Sequence, residues 1–236
     1  MQSLAQPKDH AMSFTHVSLT SLFAVVLVAC SSPKDSSMDN PYLAPRDHGS
    51  TDAPALAGST LTVDDLAAIQ ATLLFSEEDV AALRMSRPLL EPQVDAILDV
   101  WYGFVGSQPQ LIAYFSSSAG QPDANYLARV RERFGHWILD TAAAEYDQDW
   151  LDFQHEIGLR HTRAKKNRTD GADAVDHIHF RYLPALIYPV TATLKPFLAM
   201  GDHSPEQVEA MHQAWIKSVL LQVILWSQPY MAEGDF

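Results

Sequence analysis

The sequence predicts an all-α protein whose helices differ in length and pack orthogonally rather than as a regular bundle. The 236-residue chain has only 10 Gly and is rich in Ala, Leu, Gln and Glu, which favour helix over sheet. From Thr62 onward apolar residues recur at helical spacing, and no run reads as a strand. Helices without heptad repeats, about eight in number, fit orthogonal packing better than coiled-coil packing.

Boundary signals set the order of these helices. Each predicted helix begins at a capping residue or follows a break at proline or glycine. In chain order the signals are the capping boxes at Thr62 with Asp65 and at Ser76 with Asp79, the prolines Pro88 and Pro92, the breaks over 106–109 and 116–122, and the capping box at Ser204 with Pro205 behind it. The later helices are expected over residues 147–163, 177–199 and 204–226, with a polar loop over 166–176.

The charge balance argues against a nucleic-acid partner. The chain carries 29 acidic and 16 basic residues, for a formal net charge of −13. A polyanion is repelled by a field of this sign. The short basic run over 163–168 is interpreted as a solvated loop or helix end. We therefore expect no nucleic-acid ligand.

The first 30 residues have the layout of a signal peptide. Residues 17–29 form an apolar stretch of h-region length, and the following Cys30 is the only cysteine, so no disulfide within the chain is expected. The letters LVACSS over 27–32 resemble the lipobox of bacterial lipoproteins, in which the cysteine carries the lipid. This predicts a membrane-anchored lipoprotein facing the periplasm. The alternative is a cytoplasmic protein with a chance apolar stretch, because Lys8 is the only early cation.

The remainder of the chain divides into a tether and one domain. Residues 31–60 are rich in Ser, Pro, Asp and Gly and lack an apolar period, which predicts a disordered tether. Residues 61–236 are long enough for one domain with a sizeable core.

One histidine lies where it could ligate a metal. Trp150, Gln154, Ile157 and His161 follow one another at spacings of four, three and four, so they share the stripe that faces the core. A neutral imidazole near a helix end can ligate iron through one nitrogen while the other donates to a backbone carbonyl. The alternative, a hydrogen-bonded core histidine, is the more frequent role of such a residue.

Aromatic side chains form a second group on inward-facing stripes. Ordinary core packing accounts for most of them. Tyr102 differs, because a buried phenol needs a partner for its hydroxyl and a ligand could be that partner. The group comprises Trp101, Tyr102, Phe104, Phe115, Tyr126, Phe134, Trp137, Tyr182 and Trp226.

Several long motifs closely resemble protoglobins, the single-domain relatives of globin-coupled sensors. The resemblance covers roughly residues 60–236 with almost constant spacing. Its motifs are ILDVWYGFVGS over 97–107, RF…WILDT over 133–141, YDQ…WLD over 146–152, EIGLRH over 156–161, YP…TAT…KPFL over 188–198 and the terminal GDF.

The resemblance implies a globin-like fold with an extra N-terminal helix, in which orthogonally packed helices enclose a haem b. The histidine that ends EIGLRH, His161, is then the proximal ligand of the iron. Trp101 and Tyr102 lie on the opposite, distal face, and Arg133 pairs with a haem propionate. The expected haem-contacting residues are His161, Trp101, Tyr102, Phe115, Val130, Arg133, Phe134, Trp137, Ile157 and Leu186.

Two of these positions shape the expected distal pocket. Val130 lies one turn before Phe134, where many oxygen carriers have a histidine, so only Tyr102 or Trp101 can donate a hydrogen bond there. Leu186 replaces an aromatic residue of a relative, which predicts a wider pocket. The two prolines at 184 and 189 are expected to interrupt the surrounding helix.

The implied function is reversible binding of dioxygen, carbon monoxide or nitric oxide, for gas binding, sensing or detoxification. The alternative is an enzyme of nitric oxide detoxification. It would need a separate reductase, because the chain has no flavin or nicotinamide fingerprint. The last two helices are apolar enough to form a homodimer, although their apolar stripes could equally all pack within one chain.

The lipid on Cys30 can be tested directly. Cells fed radiolabelled lipid should yield labelled wild-type protein, whereas Cys30→Ala should be unlabelled and shifted on a gel, because the thioether to the lipid cannot form. An unlabelled wild type that runs with the variant would contradict the anchor.

Overall fold

The structure is a computed structural model that describes residues 58–236. Cys30 and nearly all of the predicted tether lie outside the described residues, and the extra N-terminal helix stays a prediction. Within the described part, the all-α prediction is confirmed: no strand forms, and the only β pairing is two isolated bridges, Ser116 with Pro122 and Ser117 with Ala174.

Eight α-helices follow one another in the described chain. They are α1 Val63–Thr72, α2 Glu77–Leu90, α3 Val94–Gly106, α4 Pro109–Ile112, α5 Ala124–Ala143, α6 Gln148–Arg160, α7 Tyr182–Leu198 and α8 Pro205–Ser227. Single 3₁₀ turns lie at Glu91–Gln93, Ala113–Phe115 and Gln228–Tyr230. In the same range, no helix is both long and apolar enough to cross a membrane.

The predicted capping boxes are confirmed. The backbone N–H of Ser76 donates to the Asp79 carboxylate at 2.8 Å, and that of Thr62 donates to Asp65 at 2.9 Å. At the start of α8 the Ser204 N–H donates to the side-chain oxygen of Gln207 at 2.9 Å. Each box satisfies N–H groups that have no partner inside the helix, which fixes where the helix begins.

Three predicted boundaries are wrong. Pro88 lies inside α2 instead of ending it, and α6 ends at Arg160 rather than at 163. The helix expected from 177 begins only at Tyr182, because the Ile178 N–H is already bonded to the carbonyl of His161 at 2.9 Å. Pro184 does not interrupt α7. Pro184 lies in the first turn, where backbone N–H groups have no helical partner, and α7 also continues through Pro189, contrary to the prediction.

The main core joins α2, α3, α5, α7 and α8. Leu83, Leu198 and Trp215 are completely buried in it. Polar contacts fix the position of α8 against α2: the Trp215 indole donates to the Ser86 hydroxyl at 3.0 Å, and the Lys217 ammonium donates to Asp79 at 2.8 Å. With this frame fixed, α3, α5, α6, α7 and the end of α8 surround an internal cavity.

Candidate functional site

The cavity has a volume of about 270 Å³ and a mostly apolar wall. Pockets for small organic ligands have this character, with a few polar groups placed among apolar ones. Every residue predicted from the sequence to contact a cofactor lines this wall: His161, Trp101, Tyr102, Phe115, Val130, Arg133, Phe134, Trp137, Ile157 and Leu186.

His161 is held from two sides at the end of α6. Its Nδ1 lies 2.7 Å from the carbonyl oxygen of Ile157, one turn earlier. Because a carbonyl can only accept, Nδ1 carries the hydrogen and Nε2 of the neutral ring keeps a free lone pair. The backbone carbonyl of His161 accepts from the Ile178 N–H at 2.9 Å and from the Tyr230 hydroxyl at 3.2 Å.

Burial keeps this imidazole neutral. Removal from water lowers the pKa of His161 to about 4, and the positive charge of Lys166 acts in the same direction. The hydrogen bond to Ile157 opposes the shift but does not cancel it. The ring is therefore in the form that can ligate a metal at neutral pH.

Trp226 stacks on the His161 ring, a contact that sequence analysis did not predict. The ring centroids are 5.4 Å apart and the planes differ by 22°. Trp226 is among the inward-facing aromatic residues of the sequence, but helical spacing specifies only its direction from α8. Which residue of α6 it meets depends on how the two helices cross.

Another part of the cavity wall is aromatic and centres on Phe134. Its ring lies 5.6 Å from Trp101, 6.5 Å from Tyr102 and 5.0 Å from Trp137, between ring centroids. Phe115 adds an edge contact with Tyr102 at 6.5 Å. Such edge and offset arrangements keep flat faces in fixed orientations.

Tyr102 contributes the hydroxyl of this aromatic wall, to which Trp101 adds an indole N–H. Within residues 58–236 its hydroxyl makes no hydrogen bond, and burial raises its pKa. The phenol therefore stays protonated and keeps an unused donor at the cavity.

Three cationic side chains line the cavity. Arg133 makes two hydrogen bonds to the buried Asp170 carboxylate, at 3.0 and 2.6 Å. The buried Lys166 donates to the carbonyl of Tyr114 at 2.9 Å, and burial lowers its pKa to about 8. Arg160 also lines the cavity and is paired with Glu156 at 2.9 Å.

These features fit a haem. A flat apolar macrocycle matches the aromatic wall, an imidazole Nε2 is an iron ligand, and cations can pair with two carboxylates. Across residues 58–236, no group of three or more His, Cys, Asp or Glu side chains is arranged to hold a metal ion. A single histidine on a cavity suits a metal whose other ligands come with the cofactor.

The comparisons with known proteins agree with this site. The chain is similar to the globin domain of a globin-coupled sensor from Geobacter sulfurreducens, with 18% identity and a TM-score of 0.54 over 73% of this chain and 100% of that chain. That likeness shows a globin fold, as predicted. Residues 62–236 match the Protoglobin family, and the chain belongs to this family of globin-type haem proteins. No curated protein matches the chain.

The lowered pKa of His161 predicts a pH-dependent stability of the haem-free protein. A neutral His161 stabilises the fold fully above pH 6.5, the ordinary pKa, and this contribution is lost as the pH falls towards 4. Between about pH 7.5 and 5, the free energy of unfolding of the wild type should fall by about 2 kcal/mol more than that of His161→Gln. Urea unfolding of both proteins measures the difference. Equal losses would show that burial does not perturb this histidine.

Proposed function

We propose that the protein holds a haem b in the cavity through His161 and binds diatomic gases reversibly on the opposite face. The observation that carries the proposal is the hydrogen bond from His161 Nδ1 to Ile157, since it leaves Nε2 free at an apolar cavity. When bound, the haem supplies an iron with one open coordination position for dioxygen, carbon monoxide or nitric oxide.

Tyr102 is the proposed hydrogen-bond donor to the gas. Its hydroxyl has no acceptor in the described chain, and burial keeps it protonated. Val130 and Leu186 line the same cavity and offer no donor. A donor in an apolar pocket favours the gas that carries more partial negative charge, so Tyr102 should retain dioxygen more than carbon monoxide.

Arg133 is proposed to pair with a haem propionate. Its guanidinium has five N–H donors, of which the Asp170 carboxylate accepts two. Arg160 and Lys166 lie on the same cavity and add positive charge for a second carboxylate. These three cations would orient the haem with its propionates towards them and its apolar edge towards the aromatic wall.

We further propose a homodimer formed through α7 and α8. The outward side of α7 is mostly apolar, and Tyr188 on it is 80% exposed. The exposed residues of α7 are Pro184, Ala185, Tyr188, Ala192, Lys195 and Pro196. Lys195 is the charged one among them, and it pairs with Glu209 of α8 at 2.9 Å. An exposed and mostly apolar strip of this kind supports a protein–protein contact. The lipid anchor at Cys30 is proposed from the sequence alone.

Replacing His161 tests the iron ligand. His161→Ala should lose the Soret band of the purified protein because His161 is the only histidine of residues 58–236 that lines the cavity. Its far-UV circular dichroism should match the wild type. His136→Ala, which changes a histidine outside the cavity wall, should keep the band. A Soret band unchanged in His161→Ala would contradict the assignment.

Replacing Tyr102 tests the gas-binding side. Tyr102→Phe should speed dioxygen dissociation about tenfold, as expected for the loss of one hydrogen bond, and should change carbon monoxide dissociation little. Flash photolysis and stopped-flow mixing measure both rates. Equal effects on the two gases would refute the donor role. Sustained nitric oxide consumption with dioxygen and an added reductase would instead favour the detoxifying enzyme.

Replacing Tyr188 tests the dimer. Tyr188→Glu should shift the protein from dimer to monomer in sedimentation velocity at micromolar concentration, because the interface would bury an unpaired carboxylate. Leu74→Glu is the matched control, since Leu74 is 79% exposed in the turn between α1 and α2. It should leave the dimer intact. A monomeric wild type would contradict the proposal.

A further inference from the structure

We propose that Trp226 is a positioning residue for the His161 imidazole and that the buried side chain of Gln154 sets the orientation of Trp226. The inference rests on the proposed function, because it concerns how the chain holds the ligand of the iron. Gln154, Trp226 and His161 come from two helices, α6 and α8, that meet beside the cavity.

The hydrogen bond to Ile157 alone does not fix the plane of the His161 ring. It restrains one edge, at Nδ1, and the ring can still tilt about that contact. The Trp226 indole lies almost parallel to the imidazole, with a centroid distance of 5.4 Å and an angle of 22° between the planes. A large flat group in this position restricts the tilt, so the direction in which Nε2 points depends on where the indole lies.

Gln154 determines where the indole lies. It is completely buried, and its side-chain oxygen accepts from the Trp226 indole N–H at 2.8 Å. Because an indole nitrogen can only donate, the amide oxygen must face Trp226. The amide NH₂ is then left buried, with no hydrogen-bond partner within residues 58–236.

That unpaired amide makes Gln154 an unfavourable residue for packing alone. A buried donor without an acceptor destabilises a fold, and an apolar side chain of the same shape would avoid this cost. The contact that glutamine gains in return is the bond to the indole. The choice of residue is therefore explained by the orientation of Trp226.

The backbone brings α6 and α8 together at the same point. A Cβ atom on Gly158 would lie 3.3 Å from Trp226 Cα and 3.3 Å from Pro229 Cγ. Such distances are tight, so the absence of a side chain at Gly158 permits this approach. Gly158 belongs to the EIGLRH segment that ends at His161, and it lets the indole reach the imidazole.

The test uses the haem-loaded full-length protein and the iron–histidine stretching band in resonance Raman spectra of the reduced form. Gln154→Met and Trp226→Phe should each shift and broaden this band and speed haem transfer to excess apomyoglobin roughly tenfold. The double variant should match the single variants, since both remove one and the same hydrogen bond. Gln154→Glu keeps an acceptor oxygen towards the indole and should restore the wild-type band.

Trp215→Phe is the matched control. Trp215 lies on the same helix and loses a similar hydrogen bond, to Ser86, but it is not part of the cavity wall. This variant should lower the thermal midpoint and leave the band unchanged. The inference is overturned if Gln154→Met and Trp226→Phe behave like Trp215→Phe, with a lower midpoint and an unchanged band. A band that persists in His161→Gly would refute the proposed function instead.

Discussion

The hydrogen bond between His161 Nδ1 and the carbonyl of Ile157 determines what the cavity can bind. The acceptor is a carbonyl in the last turn of α6, so the helix determines both the tautomer of the imidazole and the position of its Nδ1 edge. The position of the helix end is in turn fixed by the contacts of Ile178 and Tyr230 with the His161 carbonyl. The cavity thereby receives one nitrogen lone pair in a defined place, and the proposed haem site depends on it.

Exclusion of water keeps both His161 and Tyr102 uncharged at neutral pH. Burial lowers the pKa of His161, which keeps it a ligand, and raises the pKa of Tyr102, which keeps it a donor. The charged groups that such a cavity needs for carboxylates also line it and are themselves paired, Arg133 with Asp170 and Arg160 with Glu156. A mostly apolar cavity with a few cationic side chains suits a molecule that is apolar across its ring and carries carboxylates.

Helix class and the capped helix starts could be predicted from the sequence because they depend on local chemistry. Capping boxes at Thr62 and Ser76 and the stripe that ends at His161 are examples. The start of α7 could not be predicted from the sequence, because the apolar spacing continues through residues 177–181. In the structure the backbone of this segment instead forms hydrogen bonds with His161 and Tyr230.

The site, like the fold, was predicted from the sequence only in part. Periodicity alone left His161 between a core residue and a ligand, and the resemblance to a family supplied the set of residues that the structure brings to one cavity. Neither periodicity nor the resemblance predicted that Trp226 stacks on His161, because this contact depends on the crossing of α6 and α8 at Gly158. A glycine in a helix followed by an inward histidine was the one available signal.

Chemical rescue of His161→Gly tests the central claim most directly. This variant removes the imidazole and leaves space beside the cavity, so a free imidazole can take its place on the iron. Adding haem together with imidazole to the variant, followed by reduction, should restore the absorption spectrum and the carbon monoxide binding rate of the wild type. A variant that shows the wild-type spectrum without imidazole, or a spectrum that imidazole leaves unchanged, would contradict the account.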